Sequence, residues 1–74
     1  MAIRASFTLD QAACHAGMDR ETLRSLIGWG KLPVVPDGRH AVIRRDALET
    51  FLTLNRGRDM SRRDEVLGVR LGDF

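Results

Sequence analysis

A tight turn at residues 16–19 connects two predicted helices, and this short connection most limits how the chain can fold. Thr8 followed by Gln11 is a capping-box pattern, which predicts the start of the first helix at residue 9. Gly17 suits the left-handed position that follows a helix end, so this helix is expected to stop at residue 16. Asp19 is a good N-cap, and a second helix is therefore predicted from residue 20. A turn this tight keeps the two helices in contact.

The second helix is predicted to have one apolar face and one polar face. Leu23, Leu26 and Ile27 recur at helical spacing and form its buried stripe. Gly30 ends the helix, and Pro33 prevents it from restarting. The outward face is made of polar or small residues, namely Glu21, Arg24, Ser25 and Gly28, with Arg20 and Thr22 beside them.

A hairpin and a third helix are predicted to follow. Residues 34–35 and 41–43 are apolar and mostly β-branched, and the turn-forming residues 36–39 lie between them. The hairpin tip then carries Arg39 and His40. The third helix is expected from residue 45 or 46 to 54, with a core-facing side made of Ala47, Leu48, Phe51, Leu52 and Leu54. Residues 1–7 are predicted to form a short strand or an extended arm.

Residues 56–74 are predicted to form a second unit, a basic linker and a short amphipathic helix, beyond a first unit of residues 1–55. Ser61 suits the N-cap of this helix. The apolar residues that would form its stripe are Val66, Leu67, Val69, Leu71 and Phe74. A helix this short is marginal alone, so it needs its own domain, a second copy or another protein to pack on. Val66, Leu67, Leu71 and Phe74 are therefore candidate protein-contact residues.

Composition argues against an enzyme. A chain of 74 residues leaves little room for an enclosed active site. Cys14 and His15 are sequence neighbours that point in different directions on a helix, so they do not pair as nucleophile and base. One cysteine and two histidines give no zinc spacing, and no glycine-rich phosphate loop is present. We therefore expect no catalysis, no cofactor and no metal. The lack of a signal peptide or membrane-spanning run predicts a cytoplasmic protein.

The basic residues are clustered, although the net charge is only +2. Eleven of the twelve are arginines, which suit bidentate contacts to phosphate and to guanine edges. The first cluster contains Arg20, Arg24, Lys31, Arg39, Arg44 and Arg45. The second contains Arg56, Arg58, Arg62 and Arg63. The second cluster has three alternative roles: it extends the DNA contact, it contacts a protein, or it is simply solvated.

Residues 8–52 resemble the small winged helix-turn-helix domains of phage excisionases and of MerR-type DNA-binding domains. The motifs that carry this resemblance are residues 17–19 (GMD), 30–33 (GKLP) and 43–46 (IRRD). His15 and Ala16 stand where the family usually has leucines, and Gly28-Trp29 stands where polar residues are commoner. The fold class expected from the resemblance is mainly α with a small β-hairpin, a winged helix-turn-helix domain plus the C-terminal amphipathic helix.

The resemblance also implies a function. Only about twenty residues follow the winged part, which favours an excisionase over a MerR-type regulator with its longer effector domain. Excisionases bind attachment-site DNA cooperatively, bend it and direct a tyrosine integrase towards excision. The high arginine content is similar to that of excisionases from mycobacteriophages. This resemblance implies that the protein works on DNA in a bacterial host cell. A small MerR-like transcription regulator and a protein-interaction adaptor are the alternatives.

The candidate DNA-binding residues fall into two groups. The recognition-helix group, expected in the major groove, is Arg20, Glu21, Thr22, Arg24 and Ser25. The wing and backbone group is Lys31, Arg39, His40, Arg44 and Arg45. The expected partners are double-stranded DNA, a tyrosine integrase and further copies of the chain. We expect no association with a membrane.

Overall fold

The computed structural model describes residues 6–70, which form three helices and a three-stranded antiparallel sheet. The elements in chain order are β1 (Ser6–Phe7), α1 (Leu9–Ala16), α2 (Arg20–Gly28), β2 (Val35–Asp37), β3 (His40–Arg44) and α3 (Arg45–Leu54). This architecture confirms the predicted fold class, which is mainly α with a small β-hairpin. It is the architecture of a winged helix-turn-helix domain.

The first helix has the limits that the sequence predicts, and the second begins where predicted and ends at Gly28, two residues before Gly30. The Thr8 hydroxyl accepts a hydrogen bond from the Gln11 backbone at 3.2 Å, and the Gln11 side chain accepts one from the Thr8 backbone at 3.0 Å. Gly17 follows α1 with a φ of 71°, a left-handed conformation that glycine adopts without steric cost. The Asp19 carboxylate then accepts from the Thr22 backbone at 3.1 Å and caps α2. Local capping chemistry therefore fixes the turn between the helices.

The sheet has the order β1-β3-β2, so β3 is the central strand. The lead before α1 does form a short strand, because Phe7 pairs with Ile43. The hairpin differs from the prediction in its strand limits. β2 begins at Val35 and runs on to Asp37, which pairs with His40, so only two residues form the turn. Gly38, with a φ of 64°, permits this tight connection because glycine at the first turn position matches the strand twist.

The core lies between the helices and β3. Its buried apolar residues are Ala12, Ala13, Leu23, Leu26, Leu32, Ile43, Ala47, Leu48, Phe51, Val66 and Val69. Leu52 is only partly buried against this core. The prediction that Leu54 faces the core is wrong, because its side chain is 45% exposed. Asn55, at 1% exposed, takes the core-facing position at this end of α3.

The predicted C-terminal helix is wrong for the residues that the structure describes. Residues 63–65 form one turn of 3₁₀ helix, and residues 66–70 are neither helix nor strand. Two β-branched valines and Gly68 disfavour a helix here. Val66 and Val69 enter the core instead, and the Val69 backbone donates to the Lys31 carbonyl at 2.9 Å. Leu71 and Phe74 lie outside the described residues, as do residues 1–5.

Asn55 holds this C-terminal segment against the end of α3. Its side-chain amide donates to the carbonyls of Phe51 and Leu67 at 2.9 and 2.8 Å. Its side-chain oxygen accepts from the Leu67 backbone at 2.7 Å. Asn55 directly follows the predicted end of the third helix at residue 54. In the structure its side chain pairs with both backbone groups of a residue twelve positions away.

Candidate nucleic-acid interface

An open groove of about 580 Å³ separates α2 from the β2–β3 hairpin, which we call the wing. Residues at the start of α1 also line this groove. Its apolar lining is Leu9, Ile27, Val34, Ala41 and Ile43. Its charged and polar lining is Thr8, Asp10, Arg20, Arg24, Arg39 and His40. The fold therefore brings the two predicted arginines of the recognition helix and Arg39 of the wing tip to one surface.

The two arginines of α2 that line the groove differ in their contacts. Arg20, the first residue of α2, forms an ion pair with Asp10 of α1 at 2.8 Å. Arg24 lies one turn further along and is exposed. Its side chain has no hydrogen bond or ion pair with any residue in 6–70. Arg24 is thus available to a partner, whereas Arg20 is held in place.

The other predicted residues of α2 do not line the groove beside the wing. Glu21, Thr22 and Ser25 line a shallow depression together with Trp29 and the loop residues Met60 and Ser61. The sequence predicted one polar face for α2. In the structure the arginines of that face line the groove beside the wing. The hydroxyl and carboxylate side chains lie beside the C-terminal loop, which contains Met60 and Ser61.

Three predicted backbone-contact residues lie outside the groove. Arg44 forms a two-point ion pair with Asp46, whose oxygens lie 2.6 and 3.1 Å from its nitrogens. Arg45 is paired with Glu49 at 3.1 Å along α3. Lys31 is half-buried beside the C-terminal segment. Their contact with DNA stays a prediction.

The second basic cluster is partly engaged within the chain. Arg58 donates to the Glu65 carbonyl at 3.3 Å, and Arg62 pairs with the Glu65 carboxylate at 3.2 Å. Arg56 and Arg63 are exposed. Of the candidate protein-contact residues, Val66 is 2% exposed and serves the core, whereas Leu67 is 40% exposed.

The N-cap of α2 should weaken at acidic pH. Hydrogen bonds from the Thr22 side chain, and to a smaller extent from its backbone, hold the pKa of Asp19 below its ordinary value. Because this pKa is lower in the folded state, the stabilisation is complete above the unfolded value and is lost as pH falls through the folded value. Circular dichroism of wild type and Asp19→Asn, from about pH 5 to 2, should show a smaller acid-induced loss of helix in the variant. Identical acid titrations would contradict this coupling.

Asp10 is the functional candidate that sequence analysis missed. It lies in the first turn of α1, where an acidic residue has an ordinary explanation in the helix dipole. Its partner Arg20 is ten positions away, and no local spacing predicts such a pair. Only the packing of α1 against α2 brings the two side chains together.

Residues 6–70 contain neither a candidate metal site nor a helix that could span a membrane. No group of three His, Cys, Asp or Glu side chains within this range is placed to hold a metal ion. No helix there has the length and apolar character needed to cross a membrane.

Comparison with known proteins identifies the family. A family model described as a helix-turn-helix domain matches residues 6–56. No curated protein and no solved structure matches the chain. The matched residues include α1, the turn, α2, the wing and α3, which together are more than half of the chain. The chain therefore belongs to this helix-turn-helix domain family, a family of DNA-binding domains that is typically non-enzymatic and includes excisionase-like proteins.

Proposed function

We propose that the protein is a sequence-specific DNA-binding excisionase. It binds attachment-site DNA cooperatively, bends it and directs a tyrosine integrase towards excision. The observation that supports DNA recognition most directly is the groove between α2 and the wing, where Arg20, Arg24 and Arg39 line one surface. Membership of a family that includes excisionase-like proteins supports the narrower role.

The shape of this surface suits a duplex. The exposed face of α2 carries polar and small residues, so the helix can enter a major groove without burying bulky apolar groups. One DNA backbone then runs along the groove beside the helix, with Arg39 at the wing tip on its far side. In this arrangement Arg24 contacts base edges, and the wing contacts phosphates or the adjacent minor groove.

The role of each remaining candidate follows from its position. Glu21 and Ser25 lie on the exposed side of α2 and can meet bases or phosphates next to those that Arg24 meets. A glutamate in this position accepts a hydrogen bond from a cytosine amino group. His40 extends the contact of Arg39 along the wing. Cooperative binding needs a contact between neighbouring copies, and Leu67 is the candidate protein-contact residue within 6–70 that is exposed for it.

A mobility-shift titration tests the proposal. The probes are attachment-region DNA from the genetic element that encodes the protein, promoter DNA from the same element, and a random duplex of equal length and composition. Stepwise, cooperative shifts on attachment-region DNA support the excisionase function. Adding the integrase of that element should then raise excision and lower integration in a recombination assay.

The other outcomes separate the alternatives. Preference for promoter DNA without an effect on recombination would favour a MerR-like transcription regulator. The absence of binding to every duplex at low salt would overturn DNA recognition and favour a protein-interaction adaptor.

The wing tip should contribute to the salt dependence of binding. Each phosphate that a protein neutralises adds about 0.9 to the slope of log affinity against log salt. Replacing Arg39 with alanine should therefore reduce this slope by about 0.9 on every duplex. Fluorescence anisotropy at several salt concentrations measures both slopes. An unchanged slope would show that Arg39 neutralises no phosphate.

A further inference from the structure

Asp10 is the one carboxylate among the described residues that line the groove between α2 and the wing. The other charged lining residues are Arg20, Arg24 and Arg39, which carry positive charge. A carboxylate in this position repels the phosphates that the groove would otherwise attract. It is therefore expected to lower the affinity for DNA in general. The helix dipole accounts for an acidic residue in the first turn of α1, and a second function in the interface would offset the loss of affinity.

The contact between Asp10 and Arg20 indicates what that function is. The Asp10 Oδ1 atom lies 2.8 Å from the Arg20 Nη1 atom, within hydrogen-bond distance. Both residues stand in the first turn of their helices, so the contact joins the N-terminal ends of α1 and α2. A guanidinium group has five N–H donors, and this bond engages one of its nitrogens. The remaining donors stay available to a base edge.

The pair is a weak element of the fold. The two side chains are 57% and 71% exposed, for Arg20 and Asp10 respectively, and ion pairs at this level of exposure add little to folding stability. Its larger effect is on the conformations of Arg20. A free arginine side chain has many rotamers and reaches phosphates on any sequence, whereas an arginine held by a carboxylate presents its fork in one direction.

We propose that Asp10 is a specificity-determining residue that positions Arg20 for base recognition and withholds it from phosphates. This inference rests on the proposed DNA-binding function and names the residue that positions Arg20 within it. With a preferred sequence, Arg20 keeps its bond to Asp10 and uses its free donors on a base edge. With any other sequence, Arg20 must leave Asp10 to find a phosphate, and the carboxylate then faces the DNA backbone unpaired.

The test compares two duplexes. One is obtained by repeated selection from a random-sequence pool with the wild-type protein, and the other is a scramble of the same composition. Asp10→Asn keeps the side-chain shape and removes the charge. The ratio of affinities for the selected and scrambled duplexes should fall by about 5- to 10-fold, the order of one bidentate base contact, because Arg20 is then free to reach phosphates on any sequence. Most of this fall should come from tighter binding to the scrambled duplex.

Two further variants show whether the effect passes through Arg20. Glu65→Gln is the matched control, because it also removes one acidic charge and releases an arginine, Arg62, from an exposed pair away from the groove. It should leave the ratio unchanged. In an Arg20→Ala background, Asp10→Asn should no longer change the ratio. Thermal unfolding of each variant confirms that the protein is folded.

Each other outcome overturns the inference. An unchanged ratio in Asp10→Asn would remove the role of Asp10 while DNA recognition stands. An equal fall in Glu65→Gln would assign the effect to net charge. An effect that persists without Arg20 would show that Asp10 acts on DNA directly. A wild-type protein that selects no sequence would remove the proposed function together with this inference.

Discussion

Replacing Arg24 with alanine is expected to lower the affinity for a selected DNA site by about 5- to 100-fold, the loss of one bidentate base contact. Arg24 lines the groove beside the wing, is exposed, and has no polar partner among residues 6–70. Nothing within the described chain therefore has to be broken before it meets a base. The affinity for a scrambled duplex should fall much less, because a base contact carries the sequence information. Fluorescence anisotropy with both duplexes at one salt concentration measures the two losses.

Arg56→Ala is the matched control for this experiment. It removes the same charge from an exposed position that does not line the groove. Any loss in this variant should be equal on the two duplexes, as expected of charge alone. Equal losses on both duplexes for Arg24→Ala would assign Arg24 to the DNA backbone and remove its role in base recognition.

Replacing Asn55 with alanine is expected to lower the free energy of unfolding by about 2–4 kcal/mol, because three hydrogen bonds of a buried amide are lost. The variant leaves the backbone groups of Leu67 and the Phe51 carbonyl without this partner. A core of this size supplies only about 3–5 kcal/mol, so a substantial fraction of the variant should be unfolded at room temperature. Urea denaturation followed by the fluorescence of Trp29, the single tryptophan, measures the change.

Thr53→Ala provides the comparison within the same turn of α3. Thr53 is exposed, so its replacement should change the unfolding free energy by less than about 0.5 kcal/mol. If Asn55→Ala unfolds at the same urea concentration as Thr53→Ala, residues 66–69 are held in place by Val66, Val69 and the Lys31 carbonyl without help from the amide.

The helices of the winged domain could be predicted because their signals are local. Thr8 and Gln11 reach each other across three residues, and Gly17 and Asp19 act on the backbone next to them. A capping box or a left-handed glycine operates through contacts that short sequence spacing already specifies. The same local rules failed at residues 66–70, where apolar residues at helical spacing were interpreted as a helix. There the valines pack into the core from an irregular chain.

Part of the candidate interface could also be predicted, because the signals for its residues are local. The exposed position of Arg24 follows from the periodicity of α2, and the position of Arg39 follows from the turn chemistry of the hairpin. Their meeting in one groove depends on how the wing packs beside α2. Periodicity also could not divide the polar face of α2 between the wing and the C-terminal loop.

The sequence by itself determined the three helices and the hairpin, because capping, periodicity and turn chemistry act within a few residues. It also indicated the family, through the resemblance of its motifs. Only the tertiary structure decided which distant side chains meet. Asp10 reaches Arg20 because α1 packs on α2, and Asn55 reaches Leu67 because Val66 and Val69 fill the core below it. Burial of apolar surface depends on the whole chain, so contacts that follow from it have no signature in local spacing.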